Sequence, residues 1–292
     1  MEELRVTGQR LRAFRIGAGL SAEDLADKLR VSRATIYRLE SAGVARLDMV
    51  RRIADLLNVS IAALLGSEVE YIKTALVYFE RLRQIEAQVD WSFVAFGPVS
   101  YLLTSDEYDI MLRQSLLDRI PASEPDPAGA RKAIRKLMRI LASRKHDFSQ
   151  RRPRISNLLS ISDLREFARW GLSGPDDYRP GHTAFADAAR RELELIIRLI
   201  EHPPLGIQIG VSREYLPTTS FNILRGPAET TVTVSPFRLG PRPNVRQGVA
   251  TISAARDAVR LYSELADDLW STAAMGREAA DLLRKEVLAA SG

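Results

Sequence analysis

Ser21 and Ser32 each stand directly before a short amphipathic run, and almost no chain separates the two runs. After Ser21 come Glu23 and Asp24, then Leu25, Ala26 and Leu29; after Ser32 come Arg33, Ile36 and Leu39. A serine in this place accepts a hydrogen bond from one of the helix's first free amides, and acids in the first turn suit the positive end of the helix dipole. The pattern predicts a helix over Ala22–Leu29, a tight turn, and a second helix over 33–40. Helices joined so tightly must cross, which needs a small residue at the crossing and apolar residues before, within and after the turn. Ala26 meets the first need; Leu25, Leu29, Val31, Ile36 and Leu39 meet the second.

The flanking sequence continues in helices. A first helix starts near Gly8, with Leu11 and Phe14 inward and Arg10, Arg12 and Arg15 outward, and Gly17 and Gly19 end it. A fourth covers Leu47–Leu57, Asn58-Val59-Ser60 breaks the chain, and Ile61–Leu65 forms a short fifth. The outward positions of the third helix, Arg33, Ala34, Thr35, Tyr37 and Arg38, are then free to enter a major groove. Arginine can donate two hydrogen bonds to guanine, and threonine can bond a base or touch a thymine methyl. Ser32, Ser21 and Arg10 are expected to meet the phosphate backbone, together with Arg12 and Arg15.

Residues 7–65 resemble the Cro/C1-type (XRE-family) helix-turn-helix throughout their length, including the fourth and fifth helices. The resemblance implies a DNA-binding head in which Ser32, Arg33, Ala34, Thr35 and Arg38 occupy the contacting positions. Two residues depart from the family pattern. Ala22 stands where a glutamine usually bonds the DNA backbone, so that contact is lost. Arg30 stands where glycine is favoured in the turn; a left-handed backbone strains arginine, so an adjusted turn is expected.

Beyond the head, 68–89 reads as one helix, because Val69, Ile72, Leu76, Phe79, Leu82, Ile85 and Val89 recur at three- and four-residue spacing. Such a connecting helix (67–89) either packs on its own domain or also pairs two protomers. From residue 90 the texture changes. A strand is expected at 91–97, helices at 106–120, 128–143, 162–170 and 184–200, strands at 206–212, 220–226, 231–237 and 248–253, and helices at 254–270 and 273–288. The fold class is thus an all-α, five-helix domain over 1–66 and a larger α+β domain over 90–292 with a mainly antiparallel sheet. The run from 220 into the helix ending at Leu269-Trp270 is loosely similar to effector domains built on a phospholipase D-like fold without catalytic residues.

Several chemistries are excluded. The chain has no cysteine, hence no disulfide, thiolate metal site or cysteine nucleophile. His146, His182 and His202 are far apart, and no His-Glu-x-x-His, His-x-Lys-x4-Asp or self-cleaving peptidase setting occurs. No catalytic residue, metal or cofactor is therefore expected. No apolar run of membrane-spanning length and no signal peptide is visible, so a cytoplasmic protein is expected.

Segment 130–154 contains ten Lys or Arg against the single acid Asp147. It reads as a solvated helix face, an extra DNA-backbone contact, or the rim of an anionic effector's pocket. Trp91, Phe93, Trp170, Tyr215 and Phe237 either line a ligand cavity or form plain core, while Asp176-Asp177 and Asp267-Asp268 read as solvated surface. The leading expectation is a dimeric transcriptional regulator that binds double-stranded DNA as a homodimer and has a C-terminal domain that senses a small-molecule effector or mediates assembly. The alternatives are an antitoxin-like or phage-type regulator with a protein partner, and an enzyme carrying the head as a targeting module.

Overall fold

The computed structural model describes residues 2–43, 46–59, 61–65, 69–95, 97, 99–173, 184–213 and 219–289. Asp176, Asp177, His182 and Tyr215 lie outside the described residues.

The head consists of α1 (Glu2–Gly17), α2 (Ala22–Leu29), α3 (Arg33–Ala42), α4 (Leu47–Leu57) and α5 (Ile61–Leu65). Leu11, Leu25, Ile36 and Ile53 are fully buried at its centre. Gly8 lies within α1 rather than at its start. Here α1 crosses the end of α3 so closely that a Cβ would stand 2.5 Å from the Leu39 carbonyl oxygen. Arg15 points inward at the same crossing and forms a bidentate pair with the buried Glu40, with Nη2 3.1 Å from Oε2.

The single helix expected over 68–89 is instead a strand followed by a helix. β1 (Val69–Ile72) ends at Lys73, and Thr74 opens α6 (Ala75–Glu86) by accepting a hydrogen bond from the Val77 amide. In β1, Glu70 and Ile72 are buried while Tyr71 on the other face is 67% exposed, the alternation of a strand, whereas the helical reading rests on Val69 and Ile72, three residues apart. α6 is enclosed on most sides by α1, α8 (Pro127–Arg151) and the sheet; Val77, Tyr78, Phe79, Glu80, Arg81 and Leu82 are all buried. Most of its apolar stripe is consumed within the protomer, with Leu76 and Ile85 left half-buried.

Seven strands form one mixed sheet in the order β1-β7-β6-β5-β2-β3-β4. The others are β2 (Trp91–Ala95), β3 (Arg154–Ser160), β4 (Ile207–Ser212), β5 (Ser220–Arg225), β6 (Thr230–Ser235) and β7 (Ala250–Ser253). β2–β3 and β3–β4 run parallel and the remaining neighbours antiparallel, so the sheet is mostly antiparallel. Parallel neighbours need long crossovers. α7 (Asp106–Asp118) and α8 supply one, and α9 (Ile161–Trp170) and α10 (Ala184–Glu201) supply the other. β3 has no counterpart among the strands expected from sequence.

The sheet is covered on both faces. On one side Tyr78 of α6 places its hydroxyl 3.1 Å from that of Thr233 in β6. On the other, α11 (Arg256–Ser271) lays Tyr262, Leu265, Leu269 and Trp270 over Phe93, Phe221 and Val232. α12 (Gly276–Leu283) packs against α10 and β4.

Candidate nucleic-acid interface

The two-helix unit closes as its caps dictate. Ser21 Oγ accepts from the Asp24 amide at 3.0 Å, and the Asp24 carboxylate accepts from the Ser21 amide at 2.7 Å. These Ser21 contacts, more than Lys28 or Lys132 nearby, hold the Asp24 carboxyl below its usual range. Ser32 repeats the cap on α3, its Oγ accepting from the Thr35 amide at 3.1 Å.

Arg30 carries the turn between them, at φ 55° and ψ 49°, in the left-handed region. The adjusted turn expected for arginine does not form; Arg30 accepts the strain of a glycine position. Its amide donates to the Asp27 carbonyl and the Val31 amide to the Ala26 carbonyl, satisfying the end of α2. Arg52 of α4 donates to the Leu29 carbonyl at 2.5 Å and clamps the same turn, a role that no local pattern announces. Ala22 is buried.

Ser32, Arg33, Ala34, Tyr37 and Arg38 are exposed along α3, with Thr35 half-buried among them. The one acid of α3, Glu40, faces inward to Arg15, so α3 itself presents two arginines and no acid on its outward face, with Glu23 of α2 near enough to act on Arg33. Tyr37 Oη accepts from Arg33 Nε at 3.2 Å and Nη2 at 2.9 Å, and the guanidinium carbon lies 5.3 Å from the ring centroid. This bond raises the Arg33 pKa further above its ordinary value. It also leaves the Nη1/Nη2 edge as a two-donor fork, the geometry that matches guanine O6 and N7. Thr35 Oγ1 lies 2.9 Å from Ser32 Oγ, a contact that restrains its rotamer.

Two arginines expected along the DNA backbone face the other way. Arg15 is buried with Glu40. Arg10 donates from Nε to Glu70 at 2.7 Å, while Arg81 of α6 holds the same carboxylate through Nε at 3.0 Å and Nη2 at 2.7 Å. Burial raises the Glu70 pKa, but Arg81 and then Arg10 outweigh it and hold the carboxyl below its usual range. A carboxylate enclosed by β1 must be paired, and α1 presents Arg10 to it. The cluster is a clasp between head and body. Gly17 serves the same contact, since a Cβ there would fall 2.0 Å from Val77 Cγ2. Arg12, by contrast, is exposed.

In the body a groove of about 670 Å³ lies between the start of α6, the end of α7, the first turns of α8 and residues 243–247. Leu76, Leu116, Ile134 and Leu137 floor it; Arg119 and the paired Arg246 and Glu124 edge it. The aromatic residues considered for a cavity do not converge there. Phe93 and Trp91 belong to the α11 side of the sheet, Phe237 packs on Tyr78 on the opposite side, and Trp170 stacks with Arg169. Asp267 and Asp268 are exposed on α11. Among the described residues no group of three histidines or acids is placed to hold a metal, and no helix is long and apolar enough to cross a membrane.

A family model described as a helix-turn-helix domain matches residues 7–65. The chain therefore carries a helix-turn-helix domain over its first fifth. No curated protein matches. One similar solved structure is described as TrmBL2, an archaeal chromatin protein with a novel mode of DNA binding; it is 8% identical, covers 87% of this chain and 69% of that one, and has a TM-score of 0.31. That score is too low to establish a shared fold.

Proposed function

We propose that this chain is a sequence-specific DNA-binding transcriptional regulator, not an enzyme, in which α3 enters the major groove. One observation carries the reading: the exposed face of α3 presents Arg33 and Arg38, neither of them in an ion pair among the described residues, and Arg33 is held by Tyr37 through Nε and Nη2, which leaves its Nη1/Nη2 edge free of that bond. Arg33, Thr35 and Arg38 are the base readers; Ser32, Ala34, Tyr37 and Ser21 line the approach, and Arg12 replaces Arg10 and Arg15 as the cation of α1 for the backbone. A Cro/C1-type head of this size reads too few base pairs alone, so the protein works as a homodimer on a pseudo-palindromic site. With α6 enclosed, pairing falls to the C-terminal body, where Leu261 of α11 stays exposed.

Residues 90–292 form the effector-sensing or assembly part. The 670 Å³ groove supports sensing, since it is of ligand size and shares Ala75 and Leu76 with α6, the helix on which the head rests. The run of β5, β6 and β7 into α11, which ends near Leu269-Trp270, supports the phospholipase D-like effector reading.

Repeated selection from a random pool of DNA duplexes tests this function. Enrichment of a two-fold-related motif with half-sites about one helical turn apart is expected; a pool that stays random contradicts the reading. Sedimentation showing only monomer at micromolar concentration contradicts the dimer.

A further inference from the structure

α8 divides its cations into two populations. In its second half, Arg144 holds Glu86 through two bonds of 2.8 Å, and Lys145 lies 2.8 Å from Asp109. Other arginines of the body pair likewise, among them Arg83 with Glu80, Arg191 with Glu107 and Arg284 with Glu201. In the first half, Lys132, Arg135, Lys136 and Arg139 form no ion pair within 4 Å among the described residues, and all but the half-buried Lys136 are exposed. Spacings of three and four place the four on one stripe. At about 1.5 Å per residue the stripe is about 10 Å long, roughly three base-pair steps of duplex.

The position of the stripe decides what it is for. Lys136 Nζ reaches the Gly19 carbonyl, at 3.5 Å, in the turn between α1 and α2. Lys132 is close enough to Asp24, in the first turn of α2, to act on its carboxyl. The stripe therefore lies beside the α1–α2 turn of the helix-turn-helix unit. It is a row along a helix rather than a cup, so it does not converge on a small anion. The apolar side of α8, with Ile134, Leu137 and Leu141, is buried, so nothing is left to enter a lipid surface.

We propose that the Lys132–Arg139 stripe of α8 is a second DNA contact, which grips the phosphate backbone beside the segment read by α3. It rests on the reading of the head given above and deepens it: the body adds sequence-independent affinity, and the footprint extends past the half-site on the α1–α2 side. A groove ligand between α6 and α8 would then act on a helix that itself touches DNA.

Salt titration of the full chain tests it, on a duplex limited to the selected motif and on one lengthened by ten base pairs at each end. A Lys132→Gln, Arg135→Gln, Arg139→Gln variant should lose about 2–3 from the slope of log affinity against log salt on the long duplex, at about 0.9 per phosphate contact. Its base preference should be unchanged. The charge-keeping variant Lys132→Arg, Arg135→Lys, Arg139→Lys should retain the slope. Equal slopes for wild type and the glutamine variant on the long duplex overturn the stripe while leaving α3 as reader. A wild type that binds no duplex, or binds without preference while keeping its salt slope, overturns the reading of the head.

Discussion

Helices α1 and α3 use the same residue type for opposite ends. The arginines of α1 at positions 10 and 15 are turned inward and locked to Glu70 and Glu40; those of α3 at positions 33 and 38 are exposed and form no ion pair among the described residues. A buried arginine with a fixed carboxylate holds a structure together. An exposed one without a carboxylate is available to phosphate or guanine. The difference teaches that in this head burial and pairing, not charge count, separate architecture from recognition.

Removing the partner from an inward arginine should have the largest effect. Glu70→Ala leaves Arg10 and Arg81 both facing an empty site, and a loss of about 3–5 kcal/mol is expected in denaturant unfolding. The same carboxyl makes the clasp sensitive to acid. Its folded pKa is depressed, so its contribution is fully present above the unfolded value of about 4.3 and is lost as pH falls through the lower folded value. The stability gap between wild type and Glu70→Gln should therefore be constant near neutrality and shrink below about pH 4. A gap independent of pH would mean the clasp carries no charge.

An outward arginine should behave in the reverse manner. Arg33→Ala should leave the unfolding midpoint nearly unchanged yet weaken binding to the selected motif roughly ten- to a hundred-fold. A smaller effect is expected at the turn between the two: Arg30→Gly relieves the left-handed strain and should stabilise the head by about 1 kcal/mol. If it destabilises instead, the Arg30 side chain contributes more than its backbone costs. The smallest effect belongs to a surface pair with neither role. Arg260→Ala on α11 breaks the exposed contact with Glu264 and should shift stability by under ~0.5 kcal/mol.

What was legible in the sequence was what is decided locally. Ser21 and Ser32 fix two helix starts through bonds to amides three residues away, and Ala26 fixes their crossing, so α2, α3 and the outward residues of α3 could be read directly. Charge suggests an outward place for Arg10 and Arg15, although Arg15 stands four residues after Leu11 on the same helical face, and nothing local shows that Glu70, 60 positions further on, comes to meet Arg10. β1 was concealed because Val69 and Ile72 fit a helical stripe as well as an edge strand, and only pairing with β7 decides between them. β3, with Asn157 at its centre, is a strand because β2 and β4 flank it in parallel, and no short-range signal carries that information. Asn157 itself is satisfied by the Ser100 amide and the Val94 carbonyl, contacts across 57 and 63 positions.

The claim on which the rest depends is that α3 reads DNA bases. Competition of the selected motif against a scrambled duplex of equal length, for wild type and for the Arg33→Ala, Thr35→Ala double variant, measures it most directly. The account predicts that the double variant keeps its fold and its affinity for scrambled DNA while its preference for the motif collapses. A double variant that retains the preference of the wild type would contradict it.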